Sequence, residues 1–99
     1  MENSKLVFEW SPEKAAKNLS KHGIAFEEAS TSFGDPMALS FDDPDHSQDE
    51  ERSILLGYST ANRLLVVAYS EPAINRLRLI SARVANTQER QQYEARKRF

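Results

Sequence analysis

The sequence predicts an α+β fold, with two N-terminal helices and one C-terminal helix packed on an antiparallel sheet of about four strands. Three observations lead there. Leu6, Phe8 and Trp10 alternate with Val7 and Glu9, which is the period of a strand. Two segments with helix start and stop signals follow, over 11–23 and 25–35. Three strand-like runs, 52–59, 63–70 and 76–83, are then joined by short connections, and short connections require antiparallel neighbours. With 99 residues the chain can bury one modest core, so 1–99 reads as a single domain.

Each element has a local cause. In "SPEKAAKNLSKHG" Ser11 can cap the open N–H groups, Pro12 suits the first turn, and Gly23 suits the left-handed stop. Ala15, Ala16 and Leu19 form its apolar stripe, and Lys14, Lys17 and Lys21 line another face. In "AFEEASTSFGD" Phe26, Ala29 and Phe33 recur at helical spacing up to Gly34. The polar middle, 35–51, holds at most a short strand at 37–41. "RLLVVAYS" is apolar on both faces, as a central strand is. "TAN" and "EPAIN" are turns, and Asn86 with Glu89 has the spacing of a capping box that opens the last helix. Periodicity assigns Leu6, Phe8, Trp10, Leu19, Phe26, Phe33, Ile54, Leu56, Leu64, Val66, Leu77 and Leu79 to one core.

The charge is unevenly distributed. Residues 1–50 carry four lysines, no arginine and eleven acids; residues 51–99 carry eight arginines, one lysine and four acids. A net charge of −2 therefore divides into −7 and +5. Such asymmetry suggests a basic face for a polyanion, and the planar fork of arginine matches phosphate bidentately. The absence of cysteine excludes disulfides, thiolate catalysis and Cys-ligated zinc. No apolar run approaches the ~20 residues of a membrane span. "MENSKLVFEW" lacks a basic start followed by an apolar stretch, so a secretory signal is not expected and the cytoplasm is the simplest location.

Three groups of residues could carry chemistry. Asp42, Asp43, Asp45, His46, Asp49 and Glu50 form an acidic run, but a Ca²⁺ loop beginning at Asp43 would need glycine at Gln48 and glutamate at Ile54. A solvated loop is the expectation, with no metal site and no cofactor. His22 ends the first helix; it can serve the last carbonyls and the helix dipole, or act as a general acid or base. Arg76 and Arg78 share one face of a strand whose other face carries Leu77 and Leu79. Arg83 would join the leucines unless the strand bulges before it. The pair could be answered by acids on a neighbouring strand, or could hold a phosphate. Glu71 is the one acid near it in sequence, which favours an open face for phosphate.

Taken together, "FEWSPEKAAKNLSKHGIAFEEAS", "FDDPDHSQDEERSILLGYS", "RLLVVAYSE" and "RLRLISARVANTQERQQYE" resemble the BrnT family of type II toxin–antitoxin toxins, in order over about residues 8 to 94. Ser11 stands where the family usually has Asp, which preserves the capping chemistry. The resemblance implies a RelE-like fold and an endoribonuclease that inhibits translation. Such enzymes cleave without metal, the ribose 2′-OH attacking the adjacent phosphate, so the site needs a proton acceptor, a proton donor and cations. The groups here that could serve are His22, Arg76, Arg78, Arg83 and Tyr93, with Lys21 and Arg63 as RNA contacts. The resemblance also implies a cognate BrnA-like antitoxin with a DNA-binding domain, through which the pair would reach operator DNA. The alternative is a non-catalytic module that binds nucleic acid or antitoxin in operon autoregulation. An acid or base close to Arg76 and Arg78 would separate the two.

Overall fold

The computed structural model describes residues 5–46 and 50–97. In chain order the elements are β1 (Val7–Glu9), α1 (Pro12–His22), α2 (Phe26–Thr31), β2 (Leu39–Asp42), β3 (Ser53–Tyr58), β4 (Leu64–Ala73), β5 (Arg76–Val84) and α3 (Thr87–Lys97). Single 3-10 turns occupy Ser32–Gly34 and Pro44–His46. The helix signals act as their sequence suggests. The Oγ of Ser11 accepts from the N–H of Lys14 at 3.3 Å, and Gly23, at φ 72°, closes α1 by donating to the Leu19 carbonyl at 2.9 Å. Asn86 and Glu89 cap α3 reciprocally, each backbone N–H bonded to the other's side chain at 2.8 Å.

The sheet differs from the expected four antiparallel strands. Among the described residues it has five, in the order β1-β5-β4-β3-β2, and it is mixed. β2 to β5 form an antiparallel meander, whereas β1 lies parallel to β5. The helices after β1 carry the chain to the opposite edge of the sheet, so the first strand and its successor never meet. Alternation reveals that a segment is extended but not which neighbour it finds. The last turn is also tighter than "EPAIN" suggested. Glu71, Pro72 and Ala73 belong to β4, where the pairing is irregular between Ser70 and Ala73, and an irregularity is where a sheet tolerates proline. Asn75 takes the positive φ of the turn, 64°.

There is not one core but two, on opposite faces of the sheet. Ile24, Phe26 and Ala29 pack on Leu55, Leu65, Val67, Leu79 and Ala82. Leu56, Leu64, Val66 and Ala85 pack with Tyr93 of α3 on the other side. Ile54, Leu56, Leu64 and Val66 therefore belong to a different layer from Leu77 and Leu79. Leu6 and Leu19 are 41% and 53% exposed, outside both cores. The inward side of α1 is Ala15, Asn18 and His22 instead, at i, i+3 and i+7.

Asn18 is inward because β1 is short. β1 pairs with β5 from Arg76 to Arg78. At Ala82, on the same edge of β5, the amide of Asn18 supplies the partner: its Nδ2 donates to the Ala82 carbonyl at 2.9 Å and its Oδ1 accepts the Ala82 N–H at 3.0 Å. A bulge in β5 then decides the arginines. Ala68 faces Ser81 but Tyr69 faces Leu79, so Ile80 is extra. Beyond it, Arg83 faces Val66, and so lies on the α3 side with Arg78, not with the leucines.

Candidate functional site

Arg78 is the centre of a carboxylate cluster. Its Nε donates to Glu9 Oε2 at 2.8 Å, and its Nη1 donates to both oxygens of Glu50 at 3.0 Å. Ser70 Oγ donates to Glu50 Oε1 at 3.0 Å, and Arg76 Nε lies 3.8 Å from Glu9. Strand register brings these groups together: Glu9 is the β1 partner of Arg78, and Ser70 is its β4 partner. Glu50 arrives from the segment before β3. The acids judged scarce around this strand are therefore present, from 69 and 28 positions away in sequence. Glu50 is not simply part of a solvated loop. The Ser70 hydroxyl, and then Arg78, hold its carboxyl below the usual range against the opposing effect of burial. The bonds to Glu9 and Glu50 raise the Arg78 guanidinium further.

Arg83 is likewise occupied. Its Nη1 and Nη2 donate to the two oxygens of Glu89 at 2.8 and 2.7 Å. Arg83 thus ties β5 to the capping residue of α3, and its hydrogen bond is the chief cause holding the Glu89 carboxyl below the usual range. Tyr93, on α3, is 3% exposed. Its hydroxyl donates to Asp35 Oδ2 at 2.7 Å, and its ring meets that of Tyr58 edge-on with centroids 5.3 Å apart. Burial, and then Asp35, push its phenol well above the ordinary value. The charge in contact with it is a carboxylate and not a guanidinium.

Lys21, His22 and Arg63 lie elsewhere. α1 packs on β5 from the Leu79 and Ala82 face, so His22 is on the side of the sheet opposite to Arg78 and Arg83. Arg63 Nε donates to Glu28 Oε2 at 2.9 Å, its Nη2 bonds Glu28 Oε1, and Nη2 reaches the Gly23 carbonyl at 3.5 Å. Ser59 Oγ adds a bond to Glu28 Oε2 at 2.7 Å. Arg63 therefore secures the β3–β4 turn to the α1–α2 junction. Lys21 is exposed. In the acidic run His46 Nδ1 lies 3.2 Å from Asp43 Oδ1, and Asp49 falls outside the described residues. Among the described residues no three of His, Cys, Asp and Glu converge as a metal cage would require.

The fold thus separates groups that the sequence suggested together, and it adds Glu9 and Ser70, which the sequence did not single out, and Glu50, expected only in a solvated acidic loop. Glu9 carried a usable signal, since it alternates with Phe8 and Trp10 and so faces away from their core. Ser70 and Glu50 carried none, because both depend on pairing across the sheet. Chemically, the cluster offers a solvent-accessible carboxylate acceptor beside two guanidinium groups.

Comparison with known proteins agrees with this architecture. The family model of the ribonuclease toxin BrnT of type II toxin–antitoxin systems matches residues 10–89. The crystal structure of the Brucella abortus ribonuclease toxin BrnT has a similar fold, with a TM-score of 0.61 at 21% sequence identity, over 86% of this chain and 100% of that one. No curated protein matches in sequence.

Proposed function

Since this chain belongs to the BrnT family of ribonuclease toxins of type II toxin–antitoxin systems, we propose that it is a metal-independent endoribonuclease whose reaction centres on Arg78 and Glu50. The observation that supports this reading is the contact between them: a carboxylate 3.0 Å from a guanidinium, on a sheet face, with Arg76 alongside. In the proposed step Glu50 accepts the proton of a ribose 2′-OH. The 2′-oxygen bonds to phosphorus as the P–O5′ bond breaks, and the departing 5′-oxygen takes a proton from solvent. Arg78 and Arg76 hold the charge that develops on the phosphoryl oxygens. The products are a 2′,3′-cyclic phosphate and a 5′-hydroxyl.

Arg83 lies further along the same face and is assigned to an adjoining phosphate, which would share it with Glu89. His22 and Tyr93 were expected to be catalytic; Tyr93 is assigned here to holding α3, and His22 to closing α1. Lys21 is kept as an RNA contact, and Arg63 as a brace. As half of a type II pair the protein has an antitoxin partner. We assign that role to a BrnA-like protein whose DNA-binding domain takes the complex to operator DNA, in the cytoplasm. No helix among the described residues is long and apolar enough to cross a membrane.

The test is to incubate the purified protein with single-stranded RNA in excess EDTA and map the product ends. Cyclic phosphate ends are expected. One observation favours the non-catalytic alternative: two carboxylates already occupy Arg78. Intact RNA in that assay, together with tight binding, would establish a binding module.

A further inference from the structure

Four of the eight arginines of the basic half are answered by carboxylates in the fold. Arg63 pairs with Glu28, Arg76 with Glu9, Arg78 with Glu9 and Glu50, and Arg83 with Glu89. The half with the acidic balance also carries cations without such partners. Lys14, Lys17 and Lys21 are all exposed on α1, and among the described residues no ion pair involves them. Glu13, four positions before Lys17, is paired with neither neighbour.

Their spacing is i, i+3 and i+7, so they form one stripe. Each lysine stands one position before an inward residue, Ala15, Asn18 or His22, which turns the stripe about 100° from the sheet, clear of the packed side. Its length is about 10 Å at 1.5 Å per residue. α1 starts from the end of β1, the sheet-edge strand whose Glu9 holds Arg76 and Arg78. α1 packs on the face of the sheet opposite the arginine cluster, so a chain of phosphates that joins the two groups would run round that edge. Compact, hydrated ammonium groups on flexible stems suit such a path, because they attract phosphate without dictating its angle.

We propose that Lys14, Lys17 and Lys21 form a sequence-independent track for the phosphates of single-stranded RNA, leading around the β1 edge to Arg76 and Arg78. This rests on the reading of RNA as the ligand of this chain. The test is fluorescence anisotropy with a 2′-O-methyl oligouridylate of about 12 nucleotides, long enough for a single-strand site. That probe cannot be cleaved by 2′-OH attack, so binding is read apart from catalysis. Three phosphate contacts on a single strand contribute a slope of about 2 to log K against log salt, about 0.7 each. The variant Lys14→Gln, Lys17→Gln, Lys21→Gln should lose that slope and bind about 100-fold more weakly near 0.1 M salt. Its circular dichroism should match that of the parent chain. If it does not fold, the double variant Lys14→Gln, Lys17→Gln should lose a slope of about 1.4. Unchanged slope and affinity in a folded variant would overturn the track. So would unchanged RNA binding with loss of antitoxin co-purification, which would give the stripe to a protein partner. A stripe-dependent slope in a protein that cleaves no RNA would keep the track and reject the catalytic reading.

Discussion

Asn18 occupies the place of a missing strand beside Ala82. Its side-chain amide makes both hydrogen bonds that a neighbouring backbone would make, at 2.9 and 3.0 Å, and its Nδ2 also reaches the Ile24 carbonyl at 2.9 Å. One side chain therefore joins α1, the loop after it and β5, and it is itself buried.

Asn18→Ala should consequently be costly. It leaves the N–H and carbonyl of Ala82 and the carbonyl of Ile24 without partners, at about 1–3 kcal/mol for a buried group left unsatisfied. We expect a loss of about 3 kcal/mol in urea unfolding, and a larger loss for Asn18→Asp, which turns a carboxylate towards two carbonyls. A change under about 0.5 kcal/mol, the size of an ordinary surface substitution, would contradict this role.

Arg78→Ala should reduce RNA cleavage about 10²–10³-fold, the usual cost of removing an electrostatic donor. Glu50→Gln should reduce it about 10²–10⁴-fold if the carboxylate accepts the proton. Glu50 titrates below the usual carboxylate range, so the acid limb of the rate profile should lie below that of an unperturbed glutamate. The rate should fall as pH drops through it, and Glu50→Gln should abolish the limb. An unchanged limb in that variant would move the base elsewhere.

Arg83 and Glu89 give a pH-dependent contribution to stability. The folded pKa of Glu89 is lowered from 4.5, so its stabilisation is complete above that value and is lost as pH falls through the folded one. Glu89→Gln keeps the shape of the cap but not the charge. The parent should exceed the variant by under about 1 kcal/mol at neutral pH, because Arg83 is 41% exposed and solvent screens the pair. The two should converge in acid. A gap that persists unchanged at pH values below the folded titration would show that the charge is not responsible.

Tyr93→Phe separates anchoring from catalysis. It removes a hydrogen bond to a carboxylate, which is worth about 1.5–3 kcal/mol, and leaves the aromatic contact with Tyr58. Reduced stability with an unchanged rate per folded molecule is expected from denaturation and cleavage assays together. A rate loss of about 10²-fold or more would restore Tyr93 to the reaction.

The sequence by itself determined whatever depends on near neighbours along the chain. The boundaries of α1 follow from Ser11, Pro12 and Gly23, the cap of α3 from Asn86 and Glu89, and the meander from short turns. The family pattern was legible because it is a linear string. What only the tertiary structure decided is where charge is cancelled. Whether an arginine on β5 is open or paired depends on β1 lying parallel beside it, on a bulge at Ile80 that turns Arg83 towards α3, and on Glu50 returning across the sheet. Those contacts join residues up to 69 positions apart. Alternation along one strand reports which side chains share a face, but it carries no information about the strand that pairs beside them.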